Sequence, residues 1–156
     1  MVKELVEGDT APNFELLTGG GGRTHLNDLK GKPVVIYFYP KDDTSGCIAE
    51  AIAFSGLRAK FAAAGATVIG VSPDSAASHD KFKQKHDLKI ALAADPERSA
   101  IGAYGVWKEK SMYGRKYFGV ERSTFLIDRE GRIAKVWRKV KVPGHADEVL
   151  AATKAL

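Results

Sequence analysis

The six residues Val34-Val35-Ile36-Tyr37-Phe38-Tyr39 constrain this chain more than any others. They form an apolar run without polar alternation, the pattern of a strand covered on both faces. Such a strand belongs in the middle of a sheet with layers on either side, so the run argues for an α/β architecture before any motif is considered. It is followed by Pro40-Lys41-Asp42-Asp43-Thr44-Ser45-Gly46-Cys47 and then by the helix-like residues 48–54. Pro40 cannot extend a strand ladder and rigidifies the exit. The chain's single cysteine therefore sits where a buried strand hands over to a helix.

The rest of the chain is organised around that junction. Phe14-Glu15-Leu16-Leu17 and Arg23-Thr24-His25-Leu26 flank four consecutive glycines, Gly19 to Gly22. No Gly-Lys-Ser/Thr follows them, so they predict a hairpin tip and not a phosphate loop. After the junction a helix is expected over residues 47–64, with Phe54, Leu57 and Phe61 at helical spacing and Gly65 as its cap. Residues 67–72 predict a second core strand, 75–86 a polar helix, 88–92 a third strand, and 95–104 a short helix. Residues 107–119 are rich in aromatic and basic side chains and assign no clear element. Residues 123–127 and 132–137 predict an antiparallel pair around the turn Asp128-Arg129-Glu130-Gly131. A helix over 146–156 closes the chain, capped near Gly144 or His145. This order suits a mixed sheet with helices on both faces.

Length and composition limit the alternatives. A chain of 156 residues suits one domain, and 44% hydrophobic content supports a real core. There is no signal-like apolar start, no run of membrane-spanning length, and no cysteine pair to staple a secreted domain. These features favour the cytoplasm. The net charge of +5 comes from 24 basic and 19 acidic residues that are interspersed. The densest basic cluster, Arg138-Lys139-Val140-Lys141, reads as a solvated strand end and not as a nucleic-acid patch. The four histidines, His25, His79, His86 and His145, lack metal-ligand spacing and are expected at the surface or in caps.

A lone cysteine is most often a small buried hydrophobe. This one is crowded by polar residues and Gly46 and begins a helix, where unpaired N–H groups and the helix dipole favour thiolate over thiol. The spacing Pro40-x-x-x-Thr44-x-x-Cys47 resembles the peroxiredoxin active-site motif. Four stretches resemble the bacterioferritin comigratory protein, or peroxiredoxin Q, branch of that family. They are the string from Tyr37 to Thr44, then Met112-Tyr113-Gly114, Glu121-Arg122-Ser123-Thr124-Phe125-Leu126-Ile127 and Trp137-Arg138-Lys139-Val140-Lys141-Val142. The match runs nearly end to end. It departs at Ser45, where proline is usual, and at Ile52 and Lys83, where relatives carry a second, resolving cysteine.

The resemblance implies a thioredoxin-like fold, with a central mixed β-sheet flanked by helices and an N-terminal β-hairpin. It also implies a thiol peroxidase acting on hydrogen peroxide and organic hydroperoxides, with Cys47 as nucleophile and neither metal nor organic cofactor. Arg122 would supply a fixed positive charge. Thr44 would orient sulfur and peroxide, or cap the helix. Pro40 would shield the thiolate or simply end the strand. Backbone N–H groups at Gly46 and Cys47 are candidate donors to the peroxide. Glu50, one helical turn beyond Cys47, would orient Arg122 or face solvent. Tyr39 would line the pocket or belong to the core. Without a second cysteine the oxidised sulfur needs an external thiol, such as thioredoxin or glutathione/glutaredoxin, in a one-cysteine mechanism. A monomer or weak homodimer is expected. The rival reading is a redox sensor or chaperone in which oxidised Cys47 regulates a partner protein.

Overall fold

The computed structural model describes residues 4–156. The chain enters through the hairpin β1 (Glu15–Thr18) and β2 (Arg23–His25), whose tip is a 3-10 turn over Gly19–Gly21. Gly20 and Gly21 there hold φ of 68° and 80°, a region open to glycine at no steric cost. Then come β3 (Val34–Phe38), α1 (Ser45–Gly56), α2 (Arg58–Ala63), β4 (Thr67–Ser72), α3 (Ala76–His86), β5 (Ala91–Ala94) and α4 (Ser99–Ala103). A second hairpin, β6 (Trp107–Met112) and β7 (Arg115–Val120), precedes β8 (Ser123–Ile127), β9 (Ile133–Trp137) and α5 (His145–Lys154).

Seven strands form one mixed sheet in the order β2-β1-β5-β4-β3-β8-β9. β3, β4 and β5 run parallel, and β8 pairs antiparallel with β3, opposing Tyr37 to Thr124 and Phe38 to Ser123. Every residue of β3 is buried, as its unbroken apolar run requires. Alternation divides that run between two cores. Val34, Ile36 and Phe38 pack with Ile101, Tyr104 and Phe125 on the α4 side. Val35, Tyr37 and Tyr39 pack with Ala51, Phe54, Phe61, Phe82 and Val149 on the side of α1, α2, α3 and α5. The α/β mixed sheet with helices on both faces and an N-terminal hairpin is thus as the sequence predicts. Among the described residues, no helix is long and apolar enough to cross a membrane.

Three local expectations change. The helix expected over 47–64 begins two residues earlier and breaks at Leu57, whose φ and ψ of −98° and 3° follow the weak helix former Gly56. The third strand moves from 88–92 to Ala91–Ala94. Asp87, in left-handed conformation, ends α3, and the Leu88 N–H donates to the Lys83 carbonyl, so Leu88 belongs to the helix cap. The unassigned stretch is the β6–β7 hairpin, turning on Tyr113 and Gly114, both at positive φ. That pair of conformations is a type I′ turn.

Candidate active site

β3 delivers the chain to the helix-rich face of the sheet, and the loop of residues 40–44 turns it into α1. Thr44 is the N-cap, which places Cys47 in the first turn, at the third helical position. The first intrahelical bond runs from the Ile48 N–H to the Thr44 carbonyl, 2.8 Å. By helix geometry the N–H groups of Ser45, Gly46 and Cys47 therefore have no acceptor inside the helix and point out of its N-terminus. Cys47 is 1% exposed, so its thiol sits at the base of this ring of donors and not on the surface.

Arg122 reaches the sulfur from across the sheet. It precedes β8, and the β3–β8 register brings that strand's start alongside the end of β3. Its Nη2 donates to Cys47 Sγ at 3.3 Å and its Nη1 to Glu50 Oε1 at 2.6 Å. One planar fork thus spans two groups on the same face of α1, a task suited to a guanidinium and not to an ammonium. Gly46 makes room for it: a Cβ there would lie 3.1 Å from Arg122 Nη2.

The charges are unequal. Glu50 is 1% exposed and its Oε2 has no hydrogen-bond partner among the described residues. Burial pushes its carboxyl up to about 7, against the opposing pull of Arg122. Burial also works against the guanidinium, but Glu50 and Cys47 outweigh it and hold Arg122 above its ordinary value. Lys110, on β6, belongs to the same electrostatic neighbourhood. Burial and then Arg122 lower its ammonium, while Glu121 and Cys47 oppose them.

The remaining residues singled out from the sequence fall as follows. Thr44 is exposed, and its hydroxyl donates to the Lys41 carbonyl at 2.8 Å; it makes no side-chain cap bond. Pro40 is half-buried between Tyr39 and the loop. Tyr39 is core, 1% exposed, but its hydroxyl donates to Asp42 Oδ1 at 2.6 Å. Glu50 faces Arg122 and not solvent. The histidine expectation is corrected at two positions. His79 is fully buried against Asp42, and His145, which opens α5, is buried with Nε2 2.8 Å from Thr124 Oγ1. Sequence reasoning also missed Asp42 and Lys110. An aspartate in a polar loop and a lysine in an unassigned stretch carry no periodic signal of burial.

The AhpC/TSA family model matches residues 7–136. The chain belongs to the AhpC/TSA family. Within that family it is similar to Bcp and peroxiredoxin Q proteins. Peroxiredoxin Bcp of Bacillus subtilis is 50% identical over 147 residues, covering 94% of each chain. Peroxiredoxin Bcp of Xanthomonas campestris is 49% identical, covering 92% of this chain and 89% of the relative. A cysteine-to-serine mutant of Xylella fastidiosa PrxQ superimposes with a TM-score of 0.93 at 43% identity, covering 98% of each chain. The Xanthomonas campestris bacterioferritin comigratory protein, whose structures concern alkyl peroxide reduction activity, has a TM-score of 0.87 at 48% identity over 91% and 90% of the two chains. This AhpC/TSA member has only Cys47. The two places where relatives carry a second thiol hold Ile52, on α1 and 48% exposed, and Lys83, on α3 and half-buried.

Proposed function

We propose that the chain is a thiol peroxidase in which Cys47 reduces hydrogen peroxide and organic hydroperoxides. The observation that carries the reading is the Arg122 guanidinium, 3.3 Å from a buried cysteine sulfur at a helix N-terminus and held there by Glu50. The Cys47 thiolate attacks the distal peroxide oxygen. The S–O bond forms as the O–O bond breaks, giving Cys47 sulfenic acid and an alkoxide or hydroxide that takes up one proton to leave as alcohol or water. Negative charge migrates from sulfur to the departing oxygen. Arg122 and the N–H groups of Gly46 and Cys47 stabilise it along that path without reorganising. Thr44, its hydroxyl hydrogen directed to the Lys41 carbonyl, offers its oxygen lone pairs to the peroxide O–H and so fixes the peroxide's orientation. Pro40 covers the site on the strand side.

The sulfenic acid condenses with an external thiol, releasing water and leaving a mixed disulfide. A second thiol then attacks that disulfide and regenerates the Cys47 thiolate. Thioredoxin or glutathione with glutaredoxin can supply both thiols. The proposal places the enzyme in the cytoplasm, as a single domain working as monomer or weak dimer.

Peroxide consumption by wild type and Cys47→Ser, with each reducing system in turn, tests this reading. Sustained turnover that disappears in Cys47→Ser is expected, and the faster donor identifies the recycling route. One stoichiometric oxidation without turnover under either donor would replace the peroxidase with a redox sensor.

A further inference from the structure

Behind the active-site loop lies a buried polar cluster that the peroxide chemistry leaves unused. Asp42, in the middle of the loop, is 8% exposed, and His79, in the first turns of α3, is 0% exposed. His79 Nδ1 lies 2.7 Å from Asp42 Oδ2, and His79 Nε2 lies 3.0 Å from the Ala93 carbonyl of β5. A backbone carbonyl can only accept, so Nε2 carries a proton. Asp42 Oδ2 also accepts from Ser78 Oγ at 2.8 Å and Oδ1 accepts from the Tyr39 hydroxyl, so both carboxylate oxygens are engaged. The Asp42 N–H in turn donates to Asp74 Oδ2 at 2.8 Å, an oxygen that also accepts from Ser72 Oγ. Asp42, Asp74 and His79 bring three possible ligand atoms within 4.8 Å of one another. Each is already committed to the hydrogen bonds just described, so the cluster works as a staple and not as a metal cradle.

We propose that Asp42 and His79 are positioning residues for the Cys47 reaction, with the buried His79 ring tying the active-site loop to α3 and β5. The staple joins the end of β3 through Tyr39, the exit of β4 through Asp74, α3 through Ser78 and His79, and β5 through the Ala93 carbonyl. All converge, the Ala93 carbonyl through His79 and the others directly or through the Asp42 N–H, on one residue two positions before the N-cap Thr44. Asp43 adds an outer tie, accepting from Lys85 Nζ at 2.6 Å and lying 2.9 Å from His86 Nε2. Fixing Asp42 fixes where α1 starts, and hence where the Gly46 and Cys47 N–H groups and the Thr44 oxygen stand relative to a bound peroxide. A displacement of about 1 Å in such donors costs roughly 100-fold in rate. The other groups facing the pair are neutral or anionic: the Tyr39 and Ser78 hydroxyls and the Asp74 carboxylate.

The test measures peroxide reduction and alkylation of Cys47 by iodoacetamide in Asp42→Asn, His79→Gln and the milder Tyr39→Phe, with amide hydrogen exchange over residues 41–50. A loosened loop lowers the second-order rate with hydrogen peroxide by about 10- to 100-fold. It also raises the alkylation rate, because the buried sulfur becomes reachable, and speeds exchange in 41–50 while the sheet stays protected. Peroxide rates within two-fold of wild type in all three variants would overturn the proposal. So would peroxide and alkylation rates that fall together with the folded fraction. If the first two variants do not fold, Tyr39→Phe decides. The proposal rests on the peroxidase reading. Alkylation and exchange need no peroxide, so the staple and the activity can fail separately.

Discussion

Arg122 divides one guanidinium between a buried sulfur and a buried carboxylate, and that division sets the behaviour of the site. Arg122→Lys keeps the charge but offers a single ammonium with no fork, so it cannot hold Glu50 Oε1 and Cys47 Sγ in the observed geometry. A fall of about 10- to 1,000-fold in the rate with hydrogen peroxide is expected, measured by stopped-flow kinetics. Glu50 makes a pH prediction. Its carboxyl ordinarily titrates near 4.5, and burial pushes it up to about 7 in the folded chain. The folded state therefore binds this proton more tightly than the unfolded state. The stabilisation is complete below pH 4.5, is lost as pH rises through 7, and is absent above that. Urea unfolding at pH 4.5 and 7.5 should show a loss in wild type, relative to Glu50→Gln, of up to about 3 kcal/mol. Equal pH slopes in the two proteins would refute the assignment. The staple around Asp42 was invisible at this scale in the sequence: His79 reads there as one polar residue in a polar helix, and only the fold turns it inward.

At the scale of elements, β3 and β4 are locked by a size complementarity that the sequence hides in a single glycine. Tyr37 pairs with Gly70 across the parallel ladder, and a Cβ at Gly70 would lie 2.6 Å from Tyr37 Cζ and 2.9 Å from Leu92 Cδ2. Both neighbours are buried, so Gly70→Ala forces the tyrosine off its place. We expect a loss of about 1–3 kcal/mol in denaturant unfolding, and less in Gly70→Ala combined with Tyr37→Phe only if the hydroxyl carries the clash. The β6–β7 hairpin was illegible for a related reason. Its turn places Tyr113, 99% exposed, at φ 52°, where asparagine or glycine is usual. The strand over Ala91–Ala94 likewise has weak intrinsic β preference and is placed by its neighbours β4 and β1.

For the whole molecule, one cysteine and a buried site together define a vulnerability. No thiol of this chain can capture the Cys47 sulfenic acid, so its fate is a race between an external thiol and a second peroxide. Intact-mass spectra across a peroxide series without reductant should show a gain of two oxygens at Cys47 as peroxide increases, suppressed when thiol is added first. A sulfenic acid that persists at high peroxide would refute the race. The distribution of helices supports the same picture. α1, α2, α3 and α5 share the face that holds Cys47, so the site is walled by one core cluster while the other core carries the opposite face of the sheet.

The sequence alone determined the buried strand β3, the N-terminal hairpin, the β8–β9 pair and the junction bearing Cys47. These depend on local patterns: an unbroken apolar run, turn residues at fixed offsets, and a cysteine beside helix-starting chemistry. It also supplied the family resemblance that singled out Arg122. Tertiary structure alone decided that Glu50 faces Arg122 and not water, and that Asp42 and His79 meet. Both outcomes depend on residues 72 and 37 positions apart being carried to one end of the sheet, and no local pattern encodes which buried polar group will find which partner.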